Sequence, residues 1–319
     1  MPFECTGDGT IFISFISTVP ANVGVPPPPP VSPPMLLVSA SPEGVGHTFR
    51  LDGVPELHIS SEVDHYASDS EVVFLVRASK ETEPIKQTYS VGSYQGEYTR
   101  NAEQQHLYIL AFSRKGEYLR AAEIEQGLSI QRLGVFPSGA LLAFGLEAKD
   151  HSPKLVMLKE DGTLLKSLEI PSGDAPEQLG VSRGRGFTIA QSDLVTVGRS
   201  IIIVQNKTTF PLLEVSEGGA VRAIRPRLPD GDQIETVIPS DRGLYLIAVA
   251  KNEQQSSSEV IYEADPASGT VLRRFELNDL QTPSDVACIH DGKFLSIDYR
   301  DGKVAPLVGS AEPPESSQK

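Results

Sequence analysis

The chain has no tryptophan, two cysteines and three methionines among 319 residues, and aromatic residues make up 7% of it. An aromatic cage for a quaternary cation is therefore disfavoured, and any stacking on a ligand falls to tyrosine and phenylalanine. Cations are scarce as well: 28 Lys and Arg stand against 42 Asp and Glu, giving a net charge of −14. No basic run is present, so the electrostatic footprint that neutralises phosphates is missing and nucleic acid is not an expected partner. No apolar stretch approaches the roughly 20 residues of a membrane-spanning helix. The N-terminus lacks the basic and apolar regions of an export signal, so the chain as written reads as unexported.

What the chain does have is punctuation. Short Gly- or Asp-centred turns recur in pairs, the first of each pair at Asp8-Gly9, Asp69-Ser70, Ser138-Gly139, Gly198-Arg199, Asp241-Gly243 and Asp291-Gly292. An apolar, β-branched run follows each, predicting strands over 10–16, 71–77, 140–146, 200–205, 244–250 and 294–298. The second turns fall at Gly44, Gly116, Gly162, Gly218-Gly219 and Gly269, with Gly309 a poor match. Units this small cannot bury a core alone, so the repeat implies one closed assembly. Three segments interrupt it: the polyproline stretch Pro26 to Pro30, a polar loop from about Lys80 to Gln105, and an insertion from Gly173 to Ala190 containing Arg183-Gly184-Arg185-Gly186. Locked φ angles and missing amide donors make the first a polyproline II surface loop.

The expected fold is all-β: a single β-propeller over 1–310, with six blades of mostly four antiparallel strands and the proline-rich loop 20–34 inserted in the first. Seven blades are possible if the insertions conceal a further unit. The last blade is incomplete, and 311–319 is expected to be a disordered tail. The missing outer strand suggests a natural start upstream of Met1, with an export signal that would make the protein extracytoplasmic; a three-stranded final blade is the alternative.

The stretch SIQRLGVFPSGALLAFGLEAKDHSPKLVMLKEDGTLLKSLEI resembles a blade of the six-bladed propellers of the NHL, YncE-like and gluconolactonase-like (TolB-like) group. The resemblance implies a ligand site at one mouth of the central channel, near the starts of the first strands. Counting back from each first turn places Glu4, Asp64 with His65, Arg132, Asp193, Glu235 with Asp232, and Asp285 at those positions. Such a ring of carboxylates could hold Ca²⁺ or another divalent cation by oxygen ligation. Resemblance to the gluconolactonase-like members would then imply metal-assisted lactone hydrolysis, although that family's Glu, Asn and Asp ligands have no residue-by-residue match here. No nucleophile elbow, zinc-protease helix or phosphate-binding loop occurs, and the six histidines are scattered.

The leading expectation is thus a non-catalytic, monomeric binding or scaffold protein without a cofactor, presenting its mouth loops to a small molecule or a protein; the alternative is a metal-dependent hydrolase. Arg120, Lys166, Arg222, Arg225, Arg227, Arg273 and Arg274 fall on outer strands, where cations guard sheet edges. Cys5 and Cys288 each stand three residues before an Asp-Gly turn. Equivalent positions on adjacent blades normally lie beyond the ~7 Å Cα limit for bridging, so two reduced, buried thiols are expected.

Overall fold

A computed structural model describes residues 4–6, 8–15, 36–41, 44–51, 54–80, 84–91, 94–101, 106–124, 127–147, 149, 153–169, 193–204, 211–229, 232–251, 257–277, 283–298, 303–306 and 309–312. The first sheet is β1 (Glu4–Cys5), β2 (Ile11–Phe15), β3 (Leu36–Ser41) and β4 (Gly44–Phe49), in that spatial order. The second contains β5 (Leu57–Ala67) and β6 (Glu71–Lys80); the chain then leaves it to form a separate hairpin, β7 (Pro84–Val91) and β8 (Tyr94–Asn101), and returns as β9 (His106–Ser113) and β10 (Tyr118–Glu123). The polar loop expected over this insertion is therefore a paired hairpin, with Val91 opposite Tyr94 at its tip.

The third sheet is β11 (Leu128–Val135), β12 (Leu141–Glu147), β13 (Pro153–Leu158) and β14 (Leu164–Leu168). The fourth is β15 (Asp193–Val197), β16 (Ser200–Val204), β17 (Leu212–Ser216) and β18 (Val221–Ile224). The fifth is β19 (Gln233–Ile238), β20 (Leu244–Lys251), β21 (Ser257–Ala264) and β22 (Val271–Leu277). A 3₁₀ turn, Pro283–Asp285, precedes the three-stranded sheet β23 (Cys288–His290), β24 (Lys293–Asp298) and β25 (Lys303–Pro306). The last strand, β26 (Gly309–Glu312), takes in the first two residues of the expected tail and pairs antiparallel with β22.

The fold is an all-β propeller, but the expected six blades are corrected to five. The sixth repeat makes only a three-stranded sheet, because the chain beyond β25 crosses to the outer edge of β22 and makes that blade five-stranded. The proline stretch and the Arg183–Gly186 insertion lie outside the described residues.

Why each second strand is a continuous apolar run follows from its two neighbours. Val72, Phe74 and Val76 of β6 pack with Phe12, Leu37 and Phe49 of the first sheet, whereas Val73 and Leu75 face Leu133, Leu141 and Val156 of the third. Both faces are covered, so alternation disappears. The same relation continues around the ring through Phe144 with Ile201, Ile202 with Leu246, and Tyr245 with Phe294, and returns through Ile11 and Ala40 against Ala287 and Cys288. Outer strands are exposed instead, and their cations pair across strands: Arg120 with Glu71, Arg222 with Glu214 and Arg273 with Glu263.

The ring is closed covalently. Cys5 on β1 and Cys288 on β23 form a disulfide with their Cα atoms 5.9 Å apart, which corrects the expectation of two reduced thiols. Strands β1 and β23 are the innermost of their sheets, and inner strands converge on the axis, so equivalent positions come within bridging distance there.

Candidate binding site on the inner strands

The inner edges of the five blades and the three-stranded sheet are β1, β5, β11, β15, β19 and β23. Successive inner strands touch directly, as in the parallel bridges from Val197 to Ser240 and from Ser240 to Ile289. Charge is concentrated on one arc of this ring, on β1, β5, β11 and β15.

The arc is built by bulges. In β5, Glu62 pairs with Val76 but Asp64 pairs with Leu75, leaving Val63 as an extra residue. In a regular strand Glu62 and Asp64 would share a face and His65 would take the other. The inserted residue reverses this arrangement. Glu62 and His65 both turn toward the first sheet, where Glu62 Oε1 and His65 Nδ1 lie 2.8 Å apart. Asp64 turns toward the third sheet, where its Oδ2 accepts the Leu133 amide at 2.8 Å and its Oδ1 lies 3.9 Å from Arg132 Nη1. Glu4 completes the group from β1, its Oε2 accepting the Ala67 amide at 2.5 Å. Tyr66 closes the far side by hydrogen bonding to Thr196 on β15.

A second bulge, at Gln131 between Ile130 and Arg132, sets the course of β11. Gly145 lies opposite it: a Cβ there would sit 2.3 Å from Ser129 O and 2.7 Å from Ile130 Cα, both backbone atoms. Gly145→Ala is therefore expected to cost about 2 kcal/mol, because the inner strand itself must move. Chemical denaturation checks this, and an unchanged midpoint would show that the bulge relaxes freely.

Burial and charge shift the titrations of the arc. Burial raises the Glu4 carboxyl to about 7, reinforced by Asp64 and Glu62 and opposed by His65 and the Ala67 amide. Asp64 is raised to about 6 by burial, against the pull of Arg132 and the Leu133 amide. For His65 burial disfavours the charged ring, but Glu4, Glu62 and Asp64 outweigh it and carry the imidazole to about 9. Asp193 is also raised by burial, with Arg132 opposing.

Of the residues singled out in the sequence, Glu4, Asp64, His65, Arg132 and Asp193 thus sit on neighbouring inner strands. Glu235 is the exposed bulge residue of β19, Asp285 is exposed on the 3₁₀ turn, and the Asp232 carboxylate accepts the Tyr262 hydroxyl at 2.6 Å. Glu62, Gln131 and Tyr66 were not anticipated, since only the bulges bring them into the arc. Among the described residues no three His, Cys, Asp or Glu side chains converge as a metal site. No helix of the described residues is long and apolar enough to cross a membrane.

No protein-family model matches the chain, and no curated protein matches it to a significant degree. Solved structures similar to it include a protein of unknown function from Bacteroides caccae, with 10% identity over 86% of this chain and 90% of that one and a TM-score of 0.36. Virginiamycin B lyase from Staphylococcus aureus is similar over 82% of this chain and 90% of its own, with 11% identity and a TM-score of 0.34. Likenesses at this level bear on neither activity nor ligand.

Proposed function

We propose that the chain is a non-catalytic binding propeller that takes a small polar ligand at the charged arc of its inner strands. One observation carries this reading: Glu4, Glu62, Asp64, His65 and Arg132 share a largely buried site, at a cost in desolvation that a propeller need not incur. At the corresponding inner edge of the three-stranded sheet, Cys288 and Ile289 pack among apolar side chains. Buried titratable groups with displaced pKa values concentrate where proteins bind or react. The competing reading, metal-dependent hydrolysis of a lactone, needs three or more oxygen ligands around one point. The disulfide supports residence in an oxidising, extracytoplasmic compartment.

A thermal-shift screen of polar metabolites tests the reading. A ligand is expected to raise the Tm of the wild type and to lose that effect in Asp64→Asn and His65→Gln. Ligands that stabilise all three proteins equally would place binding elsewhere, and turnover of the ligand or of a lactone would replace the binding role with an enzymatic one.

A further inference from the structure

We propose that the ligand group held by the arc is a primary ammonium, and that its capture displaces a proton from Glu4. This inference rests on the binding role above and adds the chemistry of the ligand.

The first support is the balance of charge. Among the described side chains, four carboxyl groups, on Glu4, Glu62, Asp64 and Asp193, stand beside two cationic ones, His65 and Arg132. The second is an unpartnered buried carboxylate oxygen. The Glu62 side chain is 6% exposed; its Oε1 is taken by His65, while its Oε2 is buried with no hydrogen-bond partner. Gln131 Oε1, on the neighbouring strand β11, is buried and unpartnered as well. Each accepts only, so a group that satisfies Glu62 Oε2 must donate. An ammonium offers three donors and no acceptor, and it brings the positive charge that a hydroxyl lacks.

Geometry favours an organic cation over a metal ion. A divalent ion draws its oxygens to within about 2.0 to 2.6 Å of one point, whereas N–H donors reach acceptors at about 2.8 to 3.0 Å in separate directions. The described carboxylates and imidazole do not converge in the first manner. Access runs from the channel: the Asp64 and Arg132 side chains are 18% and 22% exposed, against 6% for Glu62.

Proton displacement follows from what faces Glu4. Its carboxyl meets His65, Glu62 and Asp64 from β5, together with the Ala67 amide, and titrates at about 7. A cation arriving beside Glu62 favours the ionised form of Glu4 and expels the fraction of a proton it holds at neutral pH. Affinity therefore tightens as pH rises from 6 to 8.

The test is isothermal titration of the oxidised chain with 1,4-diaminobutane, and with 1,4-butanediol as the uncharged counterpart, in two amine-free buffers of different ionisation enthalpy at pH 7. Binding of the diamine only, with release of roughly half a proton, is the expected result. Glu62→Gln should weaken it at least ~10-fold, the scale of a lost charge-assisted hydrogen bond. Because Glu62→Gln strands the buried His65, Glu4→Gln serves as a second variant and should bind the diamine without releasing a proton. Equal binding of the diol, no diamine binding, no proton release by the wild type, wild-type affinity in a folded Glu62→Gln, or unchanged proton release in Glu4→Gln would each overturn the proposal. A neutral or anionic ligand whose binding is abolished by Asp64→Asn would overturn the ammonium alone and leave the binding role standing.

Discussion

Reducing the Cys5–Cys288 disulfide is expected to lower the Tm by roughly 8 °C. The bridge joins residues 283 apart in sequence, and the chain-entropy treatment of so long a loop gives about 5.6 kcal/mol of stabilisation through the unfolded state. At ~2.1 cal/mol/K of unfolding entropy per residue, spread over 319 residues, that free energy corresponds to the stated shift. Among the described residues, the bridge spans the junction with the fewest buried apolar side chains. The three-stranded sheet meets the first blade through Ile11, Ile13, Ala40, Ala287 and Cys288, a sparse set beside the Phe12, Phe49, Phe74 and Phe112 packing of the next junction. These are the only cysteines in the chain, so a thiol reductant acts at this one place. Calorimetry of oxidised and reduced wild type, with a Cys5→Ser/Cys288→Ser double variant, gives the measurement. The variant should melt with the reduced protein and ignore reductant; equal melting of all three, or two titratable thiols in the oxidised sample, would remove the clasp.

How far the sequence revealed this molecule depends on what each feature requires. The second strands of the repeats were legible almost to the residue, with β6, β16 and β20 beginning at the expected positions 71, 200 and 244. They are enclosed on both faces, and that enclosure writes an apolar run between turn residues. That the last repeat lacks a strand was legible; where the chain goes after Lys303–Pro306 was not, because nothing local says that the following strand will pair with β22. The disulfide was hidden for a related reason: its feasibility depends on how closely β1 and β23 approach the axis, a property of the closed ring. Half of the arc was readable by counting back from the turns. The other half was not, since an even count puts Glu62 beside Asp64, and only the extra residue Val63 swings it to His65. A bulge is a choice between two registers of similar local propensity, and packing against the adjacent blades decides it.

The same arc makes the stability of the fold depend on pH, with a direction set by His65. Its folded pKa, about 9, lies above the ordinary 6.5. A group raised in this way contributes stability that is complete below about pH 6.5 and is lost as pH climbs through 9. The shift corresponds to about 3 kcal/mol at most, since Glu4, Glu62 and Asp64 titrate with it. Glu4 and Asp64 act in the same sense at lower pH: both are raised, to about 7 and about 6, so their contributions are greatest in acid and already spent above neutrality. The alkaline limb therefore reports His65, provided that measurement stops near pH 9.5, before tyrosines ionise in the unfolded chain. Between pH 6.5 and 9.5 the Tm of the wild type should fall by roughly 4 °C. His65→Gln, which keeps a donor for Glu62 but cannot be protonated, should melt lower than wild type at pH 6.5 and fall less steeply from there to 9.5, the slope that remains being that of Glu4. Parallel profiles for the two proteins would mean that the imidazole is not held as a cation inside the ring, and the charge balance on which ammonium recognition depends would have to be recast with His65 neutral.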